Sequence, residues 1–171
     1  MAQARRGSSS SSVVPFHGEH QAGITTPAQD RLHFAAFRMV DGAQRSDLIE
    51  LLQEWTAAAE ALTLGEALGT GLEPENDLLP PDDTGEAQGL HAGHLTLTFG
   101  LGRELFTGED GEGDPYGLRS RLPEAFEPLP SFAFDLLEAS QSGGDLCVQA
   151  CADDPQIAVH AVRNLARIAV G

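Results

Sequence analysis

Lysine is absent from this sequence. All ten basic residues are arginines, set against 26 acidic ones, for a formal net charge of −16. A surface so acidic repels phosphate backbones and anionic headgroups, which argues against nucleic-acid and membrane-surface binding. A cationic or neutral partner remains compatible with it. Cysteine is nearly absent, with two residues in 171, so a disulfide scaffold is excluded. None is needed, since a chain of this length buries roughly 70% of the surface its unfolded form exposes. No apolar run approaches the ~20 residues of a membrane helix. What is present is a hydrophobic fraction of 41%, ordinary for one globular domain.

The first stretch, residues 1–13, reads as a disordered tail. Arg5 and Arg6 are followed by Gly7 and the run Ser8 to Ser12, which offers too little apolar surface to offset its ordering entropy. Two readings of the arginine pair stay open: a solvated tail, or the remnant of a twin-arginine export signal. An intact signal would place an apolar stretch where the serines stand.

Residues 14–171 read as one domain. Residues 31–40 form a strand with Leu32, Phe34 and Ala36 on one face and Ala35, Phe37 and Met39 on the other. Apolar residues on both faces predict a central strand covered on both sides. Ser46 is the expected cap of a helix, with Asp47 and Glu50 in its first turn. Leu48, Leu51, Leu52, Trp55, Ala59 and Leu62 fall on its buried stripe, Trp55 as core packing. Residues 94–99 alternate as a second strand, with Leu95, Leu97 and Phe99 inward. Residues 145–150 form a third, with Leu146, Val148 and Ala150 on one face and Cys147, Gln149 and Cys151 on the other. A second helix starts at Asp153-Asp154-Pro155, where Gln156 offers a capping box with Asp153. Ile157, Ala161, Leu165 and Ile168 line its buried stripe, His160, Arg163 and Arg167 its polar face, and Gly171 its end.

Strand, helix, strand, strand, helix is a split βαβ pattern, so the expected class is α+β, ferredoxin-like. The last strand of that pattern is missing. The expectation is therefore an incomplete domain with an open sheet edge and an incompletely covered core.

The candidate sites are weak. His91 and His94 have metal-pair spacing but no third ligand at a recognisable distance. Cys147 and Cys151, four apart on a strand, are about 13 Å from each other, too far for a disulfide. Gly100-Leu101-Gly102 could begin a dinucleotide fingerprint, but Leu105 stands where the third glycine belongs. Asp110, Glu112 and Asp114 imitate a calcium loop, with Pro115 at the turn glycine and Arg121 at the closing acid. None of His17, His20, His33, His91, His94 and His160 has the neighbourhood of a catalytic residue, and His33 is expected to point into the core. No residue is therefore assigned as catalytic, cofactor-binding or metal-binding.

Three stretches are more specific. They are Val14 to Ile24 (VPFHGEHQAGI), Leu95 to Gly102 (LTLTFGLG) followed by Leu105-Phe106, and Gly143 to Asp154 (GGDLCVQACADD) followed by Ala161 to Leu165 (AVRNL). In this order they resemble the N-terminal half of dye-decolourising (DyP-type) haem peroxidases, in the branch that includes the deferrochelatase/peroxidases. The resemblance covers residues 14–171. It implies two ferredoxin-like domains in the full-length family, haem b held against the second, and peroxide-dependent oxidation of dyes and other bulky reductants. Hydrogen peroxide and an organic reductant are the implied partners, and export by the twin-arginine route is frequent in that branch. The family's Gly-x-x-Asp-Gly motif, its distal Arg and its proximal His match no residue here. The expectation is a chain without the catalytic half and inactive alone, haem-free because no histidine is set on a rigid element facing a haem-sized pocket, and able through its open edge to self-associate or pair with a C-terminal half. The alternative is a stand-alone ferredoxin-like binding or assembly module without catalysis.

Overall fold

The computed structural model describes residues 12–71, 79–130, 132–138 and 142–170. Most of the expected tail, and the expected helix end at Gly171, lie outside these residues.

The order of elements is β1 (Arg31–Phe37), α1 (Arg45–Leu64), β2 (Thr96–Leu101), the one-turn α2 (Glu104–Thr107), β3 (Leu146–Ala152) and α3 (Pro155–Val170). Both β1 and β2 run antiparallel to β3, which lies between them. Two strands joined by a helix and parallel to each other, with a third inserted between them, are the split βαβ of an α+β, ferredoxin-like fold. Both long helices lie on one face of the sheet. α3 packs on β1 and β3, and α1 packs beside α3 and against β2.

The core sits between that face and the helices. Leu97, Leu146, Val148 and Ala150 rise from the sheet to meet Trp55, Ala59 and Leu62 of α1 and Ile157, Ala161 and Leu165 of α3. The apolar period of each helix is what aims these residues at the sheet. Trp55 is 1% exposed, and its Nε1–H donates to the Leu165 carbonyl at 2.8 Å. Its ring stacks on Phe99 and meets Phe37 edge-on, at centroid distances of 5.5 and 5.2 Å.

The helix starts differ from expectation. The cap of α1 is Gln44, whose backbone N–H donates to Asp47 Oδ2 at 2.8 Å. Ser46 lies inside the helix and bonds only to Asp47 Oδ1. At α3 the side chain of Asp154 accepts the Gln156 N–H. Asp153 is drawn off by His94, and the Gln156 side chain by the Glu86 carbonyl, so no box closes between them.

Two glycines are required by close approach. Gly65 ends α1 with φ +78°, and a Cβ there would stand 2.9 Å from the Ala92 backbone nitrogen. At Gly102 a Cβ would stand 1.9 Å from the Gly144 carbonyl oxygen. The Gly102 N–H donates to the Asp145 carbonyl. The second glycine of the Gly-Leu-Gly run thus lets the end of β2 touch the chain entering β3, and no phosphate cradle is involved.

β1 corrects a reading of the sequence. Among the described residues it is an edge strand, not a central one, and Leu32 and Phe34 are 60% and 53% exposed. His33 shares the helix-side face with Ala35 and Phe37 by alternation, yet it is exposed rather than in the core. At the rim of the sheet no side chain of the described residues covers it.

Candidate functional site

The face of the sheet turned away from the helices is built from alternate residues of all three strands. The register sets them in rows: Leu32, Cys151 and Thr96; Phe34, Gln149 and Thr98; Ala36, Cys147 and Gly100. Residues 22–29 lie across the β2 end of these rows. The Gln29 amide donates to the His94 carbonyl and Thr96 Oγ1, and the Thr98 hydroxyl donates to the Ala22 carbonyl. Ala22 is buried there. The β1 end stays open, which leaves Leu32, Phe34 and Ala36 facing solvent and Cys147, Gln149 and Cys151 half-buried.

The open edge of β1 adjoins this face. Among the described residues β1 pairs only with β3, so its outer row of backbone donors and acceptors has no strand beside it. A second apolar surface lies on the segment leading into β3. Leu129, Phe132, Phe134, Leu136 and Leu137 are all exposed, Phe134 at 97% and Leu136 at 94%. Phe134 also takes φ +73°, a conformation uncommon for a side chain of its size. Several exposed large apolar residues on one segment are of the kind that a packed neighbour covers.

The two thiols are free, as the strand spacing requires. Burial pushes the Cys151 thiol above its ordinary range, against a smaller opposing effect of the Gln149 hydrogen bond, so it is not poised as a nucleophile.

The titratable candidates are not brought together. His91 Nδ1 accepts the Gly93 N–H, while His94 Nδ1 pairs with Asp153 at 2.6 Å. His17 pairs with Glu60 at 3.2 Å on the surface. Asp110 accepts the N–H groups of Glu112 and Gly113, and Asp114 those of Leu118 and Arg119. These carboxylates therefore close turns instead of converging on an ion. Among the described residues no group of three acidic, histidine or cysteine side chains is placed to hold a metal.

His160 corrects the sequence reading most clearly. It is not on a solvated polar face with Arg163 and Arg167. It is buried, and its Nε2 lies 2.8 Å from Asp83 Oδ1 in the loop between α1 and β2. Besides the Gln156–Glu86 bond, further contacts tie that loop along α3. Asn164 bonds Thr84, Arg163 pairs with Glu86, and Arg167 donates to the Asp82 carbonyl. The partners are about eighty positions apart in sequence, so local periodicity gave no sign of them.

Burial alone would push the Asp83 carboxyl up. Hydrogen bonds from His160 and from the Leu68 and Gly85 N–H groups outweigh it and hold the carboxyl below its ordinary range. A depressed carboxyl contributes stability that is present above the unfolded value near ~3.9 and is lost as pH falls through the folded value. Urea midpoints are therefore expected to drop below about pH 4. Asp83→Asn should flatten that acid limb while lowering stability at neutral pH. An acid limb unchanged by the substitution would show that Asp83 does not contribute to it.

Residues 21–171 match the family described as Dyp-type peroxidase, N-terminal. The deferrochelatase of Escherichia coli K12 is 34% identical over 152 residues, which are 88% of this chain and 34% of that protein. The structure of DtpA from Streptomyces lividans, solved as an oxyferrous complex, superposes with a TM-score of 0.77 at 39% identity. The match takes in 93% of this chain and 38% of that one. A DyP-type peroxidase from Cellulomonas bogoriensis gives a TM-score of 0.73 at 38% identity, over 93% of this chain and 39% of that one. The chain thus spans little more than a third of the relatives it matches.

Proposed function

The chain belongs to the DyP-type peroxidase family, whose N-terminal region it matches, and from that premise we propose that it is the ferredoxin-like supporting portion of a haem peroxidase. In this reading the whole protein uses hydrogen peroxide to oxidise dyes and other bulky organic reductants, and deferrochelatase-like action on haem is the narrower reading within the same branch. The residues that ligate iron and activate peroxide lie outside these 171. The observation that carries the reading is the uncovered sheet. The open edge of β1, with Leu32 and Phe34 beside it, is where a further strand and domain would pack. A right-handed crossover from β3 through α3 delivers a strand parallel to β3, and the free side of β1 is the place in the sheet that can take it.

The histidines of this chain do not fit haem. Axial ligation needs a ring nitrogen held on a rigid element beside a haem-sized apolar pocket. His160, on a long helix, has Nε2 committed to Asp83. His33, on β1, is exposed at the sheet rim. His91 and His94 lie in the loop before β2, not on a rigid element, and His17 and His20 are exposed in the segment before β1. The acidic surroundings also oppose the haem propionates. No part of the reaction is therefore assigned to these residues.

The test is spectroscopic. The 171-residue chain, titrated with haem, is expected to give only weak, non-saturating absorbance changes. A stoichiometric Soret band that disappears on replacing one histidine would overturn the proposal that the ligand lies elsewhere.

A further inference from the structure

The His160–Asp83 pair borders a cavity of about 430 Å³ on the helix side of the molecule. It lies between the end of α1, the loop that follows it, the start of β2 and the first turn of α3. Leu62, Ala87, Leu95 and Ile157 give it apolar walls, and Asp83 and His160 give it a polar one. Exposed Glu66, Gln88 and His91 mark its mouth. A cavity of this size with apolar walls and a small number of fixed polar groups has the form of a small-molecule site.

The polar wall has a defined hydrogen-bonding character. Ionised Asp83 has only acceptors to offer. It receives the Leu68 N–H at Oδ2, and the Gly85 N–H and the imidazole Nε2 at Oδ1. Nε2 must therefore carry the proton, and in the neutral ring the lone pair then lies on Nδ1. Among the described residues the ring's hydrogen bond is to Asp83 through Nε2, and Nδ1, without a partner among them, is not fully enclosed. The ring lining the cavity therefore keeps one unused acceptor. Glu66 at the mouth and Asp83 within disfavour an anion.

We propose that this cavity binds an uncharged one- or two-ring organic molecule carrying a hydroxyl, which donates its proton to Nδ1 of His160 while the rings pack against Leu62, Leu95 and Ile157. The site shares no residue with the open sheet face.

The test uses 2-naphthol as probe, followed by amide NMR on the full chain, with 2-methoxynaphthalene as the match that lacks the donor and 2-naphthoate as the anionic match. Saturable binding of 2-naphthol below millimolar concentration is expected, with shifts at residues 62–70, 83–92 and 157–160. The methyl ether and the carboxylate should bind at least ~10-fold weaker, the difference that one unpaired polar group makes. His160→Phe should erase the preference for the hydroxyl. Ala87→Phe, which fills the cavity without touching the Asp83 pair, should abolish binding while leaving the amide spectrum dispersed. Equal affinity for 2-naphthol and its ether, retained binding in Ala87→Phe, shifts confined to the sheet face, or no saturable binding would each overturn the proposal.

Discussion

Extending this chain past Gly171 through the C-terminal portion of the family's length is expected to raise its melting temperature by roughly 10 °C or more. The argument is one of area. Leu32 and Phe34 on the sheet, and Leu129, Phe132, Phe134, Leu136 and Leu137 before β3, are all more than half exposed. Covering roughly a few hundred Å² of such surface, at ~25 cal/mol per Å², contributes several kcal/mol. Each kcal/mol moves the midpoint of a domain of this size by about 2–4 °C. A strand paired along the free side of β1 would add its own hydrogen bonds and remove an edge prone to self-association. Substitution distinguishes this from a general solubility effect. Phe34→Asp should change the isolated chain by less than about 0.5 kcal/mol, as exposed sites do. In the extended chain it should cost about 2–3 kcal/mol, because the charge would be buried unpaired. If Phe34→Asp has the same small effect in both, the sheet face is not where the remaining chain packs. The stand-alone module would then be the better account.

The second large effect is internal. Trp55→Ala is expected to destabilise the chain by about 3–5 kcal/mol, the usual cost of emptying a large aromatic site. Three losses combine there: the buried area, the contacts with Phe37 and Phe99, and the hydrogen bond that the ring's Nε1–H donates to the Leu165 carbonyl. Trp55→Phe should recover part of the packing but not the bond, and fall between the two. Set against the ~5–15 kcal/mol of a typical domain, the alanine variant should show an early, shallow urea transition. A loss under about 1 kcal/mol would mean that α1 does not anchor the core through this ring.

The core stripes were legible in the sequence because local period alone specifies them. Leu48, Trp55, Ala59 and Leu62 recur at helical spacing, Leu146, Val148 and Ala150 at strand spacing, and all are buried. Strand position in the sheet was less legible. Leu32 and Phe34 opposite Ala35 and Phe37 look the same whether the second face is covered by this chain or by a partner. Apolarity on both faces of β1 therefore suggested a central strand where the structure has an edge. α2, with four residues, is too short to carry a period. His160 was misplaced for a different reason. Its spacing to Arg163 and Arg167 is that of a polar helix face, and only the fold brings Asp83 against it. The cavity beside that pair depends on the same long-range closure, so no motif announces it. The family resemblance rested on short glycine- and acid-marked stretches. The structure gives some of those residues physical roles: Gly102 against Gly144, and Asp145, whose carboxylate accepts the Met39 N–H.

The central claim is that these residues are the supporting part of a peroxidase whose chemistry lies elsewhere in the protein. The most direct measurement compares the 171-residue chain with the extended chain, each supplied with haem, for haem stoichiometry and for dye oxidation on adding hydrogen peroxide. The account predicts about one haem per extended chain, with dye bleaching that depends on peroxide. It predicts neither for the 171 residues alone. Peroxide-dependent turnover by the short chain, or an extended chain that takes up no haem, would contradict it.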